Sequence, residues 1–120
     1  FADCFPTLCA TAALEPPTCL YCEILWQTMT KPHEQRLRQK PMVWVFPEYS
    51  GQVAVRFGDW KLVRRGLRTP QPGPWELYNL TTDRSETKNM ATDRPELVSQ
   101  GVEILQRETH DNPRFPVVWP

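Results

Sequence analysis

Thirteen prolines in 120 residues, spread along the chain instead of gathered in one tract, limit the length of every element this chain can build. Proline fixes φ and lacks an amide hydrogen, so it ends helices and is confined to the edges and ends of strands. The share is about twice the ordinary ~5%. Short strands, short helices and loops follow. At this length the chain is one domain's worth, able to bury a modest core. Its 14 basic and 14 acidic residues cancel, which excludes a net field directed at nucleic acid or an anionic membrane surface. No apolar run approaches the roughly 20 residues needed to span a bilayer. The chain begins at Phe1 and shows no signal peptide, so the expectation is a trimmed N-terminus or a piece of a longer chain.

Residues Thr7 to Leu14 are rich in alanine and leucine and predict a short helix, with Pro6 tolerated in its first turn. Glu15-Pro16-Pro17 is the expected stop, because a residue before proline is pushed out of the helical region. Ile24 to Thr30 reads as one helical turn or an extended piece, and Lys31 to Pro41 as a polar linker. From Met42 the pattern becomes β. Met42 to Phe46 is a strand ended by Pro47. Gln52 to Phe57 alternates, with Val53, Val55 and Phe57 on one face and Ala54 and Arg56 on the other. Gly58-Asp59 fits a two-residue hairpin turn, Trp60 to Arg65 the return strand, and Trp75 to Leu80 a further strand. Asp93 and Glu96 have capping-box spacing for a helix running to about Glu108, with Leu97, Val98, Gly101, Val102 and Leu105 on one stripe. The expected fold class is α+β: an antiparallel sheet of three or four strands packed by a C-terminal helix and preceded by a short helix.

The words inside these elements carry more. Ala54-Val55-Arg56 and Gly58-Asp59-Trp60-Lys61-Leu62-Val63 come first, followed by Glu76-Leu77-Tyr78 and Leu80. Then come Asp83, Ser85-Glu86-Thr87, Asn89, Ala91 and Pro95-Glu96-Leu97. In this order the series resembles the C-terminal subdomain of type I sulfatases, the arylsulfatase-like members of the alkaline-phosphatase-like superfamily. Asp3-Cys4-Phe5-Pro6-Thr7-Leu8 is similar to a segment that opens a helix late in the family's catalytic domain. The likeness is strongest over 42–98 and weakest between Cys19 and Thr30. It implies three parts: residues 1–30 as the end of a catalytic domain, 31–41 as a linker and 42–120 as the C-terminal subdomain. It further implies a sulfuric ester hydrolase whose calcium and formylglycine belong to an α/β domain preceding Phe1. That catalytic domain would be this segment's partner, a sulfated carbohydrate a possible ligand, and the periplasm or the exterior the expected location. The segment would cover the catalytic domain and help shape the substrate pocket without being catalytic itself.

No residue is assigned a catalytic or metal-binding role. Cys4-Phe5-Pro6 begins like the C/S-x-P-x-R formylglycine motif, but Leu8 stands where arginine is required. Cys19 and Cys22 have metal-ligand spacing. Cys4 and Cys9 lie about 140° apart on a helical wheel and do not converge naturally. The bland reading is thiols filling apolar sites, with a small cysteine-based zinc domain as one alternative function. The basic residues Arg56, Lys61, Arg64 and Arg65, with Arg68 nearby, could meet a sulfated polymer, since guanidinium groups match sulfate oxygens. They are the substrate-binding candidates, and a stand-alone module for anionic glycans is the second alternative. Their bland reading is a solvated sheet face. Trp44, Trp60 and Trp75 suit packing better than sugar stacking. His33 and His110 sit in polar segments as surface residues, and Asn79-Leu80-Thr81 is a glycosylation sequon at a strand end.

Overall fold

The computed structural model describes residues 3–16, 24–31 and 40–110. The element order is α1 (Cys4–Thr11), α2 (Trp26–Thr30), β1 (Met42–Phe46), β2 (Gln52–Phe57), β3 (Trp60–Arg65), β4 (Trp75–Asn79) and α3 (Pro95–Glu108). The chain divides into two compact units, Phe1–Lys40 and Pro41–Pro120. Most of the expected linker, along with Cys19, Cys22, His33 and the proline-rich tail beyond His110, lies outside the described residues.

In the first unit, α1 begins three residues earlier than the expected Thr7, which places Pro6 within its first turn. That turn's amides have no intrahelical acceptor, so the missing proline hydrogen costs no bond there. The expected stop at the prolines is also corrected. The helix ends earlier: Ala13 turns left-handed at φ 53°, Leu14 N donates to Cys9 O at 2.9 Å, and Ala13 N donates to Ala10 O at 3.3 Å. This is a Schellman closure with alanine where glycine is usual. Thr7 Oγ1 donates to Asp3 O at 2.6 Å and accepts from Leu25 N at 2.9 Å. It thereby ties α1 to the segment entering α2. Phe5, Leu8, Leu14, Ile24, Leu25, Trp26 and Met29 are exposed.

The second unit is a four-stranded antiparallel meander in the order β1-β2-β3-β4. The β2–β3 hairpin closes through Gly58 at φ 54°, the positive φ that a tight hairpin turn requires and that costs glycine nothing. Phe57 pairs with Trp60 across it. Alternation sends Val53, Val55, Leu62 and Leu77 to one face, where they are buried against Ile104 and Leu105 of α3, with Leu67 closing the cluster. Each such side chain contributes about 1.5–3 kcal/mol by leaving water. Gly101 meets the sheet closely: a Cβ there would lie 2.6 Å from Leu62 Cδ2. Ile104, absent from the expected stripe, is buried beside Leu105.

The expected N-cap at Asp93 does not form. Arg94 holds that position at φ −136° and ψ 61°, with Pro95 as the first helical residue and no side-chain cap. Proline is well suited to the first helical position and excludes its predecessor from the helical region. The boundary therefore moves one residue past the capping-box register.

Candidate functional site

The pleat sorts the basic residues. In register across the sheet, Met42, Arg56, Lys61 and Tyr78 form one row, Trp44, Ala54, Val63 and Glu76 the next, and Phe46, Gln52 and Arg65 a third. All three rows lie on the face away from α3. Arg64 lies on the helix side, where its Nε donates to Gly73 O at 2.8 Å and its guanidinium sits 5.1 Å from the Trp75 ring centroid. The sequence cluster Arg56, Lys61, Arg64 and Arg65 is thus brought together only as Arg56, Lys61 and Arg65.

On the open face a shallow groove of about 190 Å³ is lined by Trp44, Phe46, Gln52, Val53, Ala54, Lys61, Val63 and Arg65. Its cations are already engaged. Arg65 Nη1 donates to both oxygens of Glu76, at 2.9 and 2.8 Å, and Tyr78 adds a hydroxyl bond to Glu76 Oε2 at 2.7 Å. That bond to a carboxylate, and then burial, pushes the Tyr78 pKa up. Lys61 Nζ meets Glu86 Oε1 at 2.5 Å. Arg56 is exposed and has no hydrogen-bond or ion-pair partner among the described residues. Arg68 Nη1 donates to Pro47 O at 3.3 Å. Trp60 and Trp75 pack against the core. Trp44 does not: at 45% exposure it forms one wall of the groove.

The loop after β4 holds side chains whose roles the sequence did not reveal. Asp83 Oδ2 accepts from Thr87 N and Lys88 N, each at 2.9 Å, and Oδ1 accepts from Thr87 Oγ1 at 3.1 Å. The backbone amides, that of Lys88 first, hold the Asp83 carboxyl below its ordinary range. Asn89 Oδ1 accepts from Leu77 N at 3.0 Å and Ala91 N at 2.9 Å, while Met90 N donates to Leu77 O at 2.8 Å. Residues 89–90 thus occupy the outer edge of β4 as a further strand would. Asp83 and Asn89 are devices that close the loop. The sequon asparagine Asn79 is likewise used locally, its Oδ1 accepting from Thr81 N at 3.0 Å.

Cys4 is exposed and Cys9 half-buried, both with free thiols. His110 is exposed. Among the described residues no group of three or more His, Cys, Asp or Glu side chains gathers into a metal cage, and no helix is long and apolar enough to cross a membrane.

No protein-family profile matches the chain. An uncharacterized sulfatase of Schizosaccharomyces pombe is 34% identical over 68 residues, covering 52% of this chain and 12% of that protein. The chain is similar to the C-terminal portion of a type I sulfatase. The solved structures it resembles agree on the fold. One, solved in complex with its substrate D-glucosamine-2-N,6-O-disulfate, has a TM-score of 0.62 at 20% identity, covering 88% of this chain and 22% of its own. A putative sulfatase from Bacteroides fragilis has a TM-score of 0.65 at 16% identity, covering 88% and 23%. The sulfatase-like chain thus spans less than a quarter of these relatives. Calcium and formylglycine, which the likeness implies for a complete enzyme, do not fit the described residues. The acidic groups are dispersed or engaged with backbone amides, and Cys4-x-Pro6-x is followed by Leu8.

Proposed function

We propose that this chain is the C-terminal portion of a sulfuric ester hydrolase acting on a sulfated carbohydrate, and that it covers the catalytic domain and forms part of one wall of the substrate pocket. The observation that carries the reading is the ordered match of a four-stranded meander and its helix to sulfatases of which it spans under a quarter. In this reading residues 1–30 end the catalytic domain, 31–41 link, and 42–120 form the subdomain. The exposed apolar side chains of the first unit, Phe5, Leu8 and Leu14 among them, support it, because such surface usually marks an interface. A rigid sheet carrying exposed loops suits a pocket wall. Calcium and formylglycine would be supplied by the catalytic domain, and the sulfated substrate class is that of the disulfated glucosamine held by one structural relative.

The test is a chimera. Residues 1–120 replace the matched portion of a type I sulfatase of measured activity. Soluble enzyme that turns over an aryl sulfate, with Arg56→Ala raising KM for a sulfated sugar and leaving kcat unchanged, is the expected result. The isolated chain should show no turnover. Turnover by the isolated chain, abolished by Cys4→Ala, would overturn the reading.

A further inference from the structure

The turn between β1 and β2 is strained where a simpler sequence would not be. Glu48 O accepts from Gly51 N at 3.0 Å, and the two residues between them, Tyr49 and Ser50, have φ of 47° and 71°. Positive φ at both central positions is the pattern of a type I′ turn, where Asn-Gly is the favoured pair. A bulky residue in that region is an outlier. It persists because the loop after β3 braces it. Leu67 N donates to Gly51 O at 3.1 Å, Arg68 N to Ser50 O at 2.8 Å, and Arg68 Nη1 to Pro47 O at 3.3 Å. Backbone strain that its surroundings over-determine gathers at active sites and ligand clamps.

What this turn holds out is an aromatic ring. Tyr49 is 81% exposed, more than any other large apolar side chain among the described residues, so its ring adds little to the core. Its ring partner is Phe46, stacked at 6.0 Å between centroids, and Phe46 also lines the groove on the open sheet face. The Arg68 stem crosses the same turn, its Cγ 3.0 Å from where a Cβ on Gly51 would stand. Of the five N–H donors of that guanidinium, only the one on Pro47 O has a partner among the described residues. An aromatic face beside a free guanidinium fork suits a sulfated pyranose. The apolar C–H face of the sugar covers the tyrosine ring, and the sulfate oxygens meet the fork.

We infer that the β1–β2 turn holds one ring of a sulfated saccharide, with Tyr49 as its stacking platform and Arg68 as its sulfate clamp. The class of sugar rests on the sulfatase reading proposed above, which this inference deepens; the binding itself belongs to residues 47–51 and 66–69 of this chain.

Amide chemical shifts of the full chain test it. The probes are D-glucosamine-2-N,6-O-disulfate and a sulfated carrageenan hexasaccharide, each taken to about 10 mM, above the millimolar Kd of a shallow site. Shifts should concentrate in 47–51 and 66–69. Tyr49→Ala should weaken binding about fivefold, as should removal of sulfate from the sugar, whereas Tyr49→Phe should retain it. Tyr49→Gly should lose binding and yet raise Tm by about 4 °C, because glycine relieves the strain. No shift in either segment with either probe, binding indifferent to Tyr49→Ala, or a fall in Tm for Tyr49→Gly would each overturn the inference. Shifts at the turn in a chain whose chimera is inactive would sink the sulfatase reading and leave this one standing. An active chimera with no effect of Tyr49→Ala on sugar binding would do the reverse.

Discussion

Replacing Gly101 by alanine should destabilise the second unit, against the ordinary sign of that change in a helix. Glycine in a helix interior is about 1 kcal/mol less favourable than alanine, so at an open site the substitution stabilises. Here a Cβ would fall 2.6 Å from Leu62 Cδ2, 3.1 Å from Phe57 Cε1 and 3.3 Å from Leu62 Cβ. The first atom is the end of a side chain, but Leu62 is fully buried and shares its cluster with Leu77 and Leu105, so it has little room to rotate away. Overpacking of this kind costs about 1–3 kcal/mol. The net expectation is a loss of about 1 kcal/mol, or roughly 4–8 °C in Tm for a unit of this size. Gly101→Val adds two further carbons and should cost more than alanine by at least about 1 kcal/mol. Thermal and urea unfolding, with Gln106→Ala on the exposed face as the control, measures both. A rise in Tm for Gly101→Ala would show that α3 does not approach the sheet as closely as described, and the packing argument would fail.

Asn89→Ala removes the acceptor of Leu77 N and Ala91 N and should cost about 1–3 kcal/mol, read from the urea midpoint, whereas Asn79→Ala should cost less. Because the Asp83 carboxyl is held below its ordinary range, its contribution is complete above that range, near pH 4, and is lost as pH falls through the lower folded value. The amides of Thr87 and Lys88 should lose protection over that acid window, and Asp83→Asn should abolish the transition. Native-state exchange should show the slowest amides in 53–63, 76–80 and 97–105, with 4–11 faster. Equal protection in α1 and β2 would show that the first unit is as stable as the sheet.

β2 was legible because its alternation is strict: Val53, Val55 and Phe57 recur every second residue, and Gly58-Asp59 marks the turn that ends it. The same alternation already separated Arg64 from Arg65, since neighbours on a strand face opposite ways. Treating the basic residues as one cluster overlooked that signal. Both helix starts were displaced for a local reason. At α3, Pro95 outweighed the Asp93–Glu96 spacing; at α1, Pro6 was accommodated inside the first turn. The work of Asp83 and Asn89 could not be read in advance. It depends on backbone amides four to twelve residues away being brought to one carboxylate or one amide by loop closure. Trp44 differed from Trp60 and Trp75 because β1 is an edge strand and α3 packs on the other face, which is information of topology and not of periodicity.

The central claim is that this sheet and helix belong behind a sulfatase catalytic domain. Reading the coding sequence in frame upstream of Phe1 tests it most directly. The account predicts an α/β domain there containing a C/S-x-P-x-R motif and the aspartates and asparagine of a calcium site. An upstream frame that encodes some other domain, or a start codon immediately before Phe1, would contradict it.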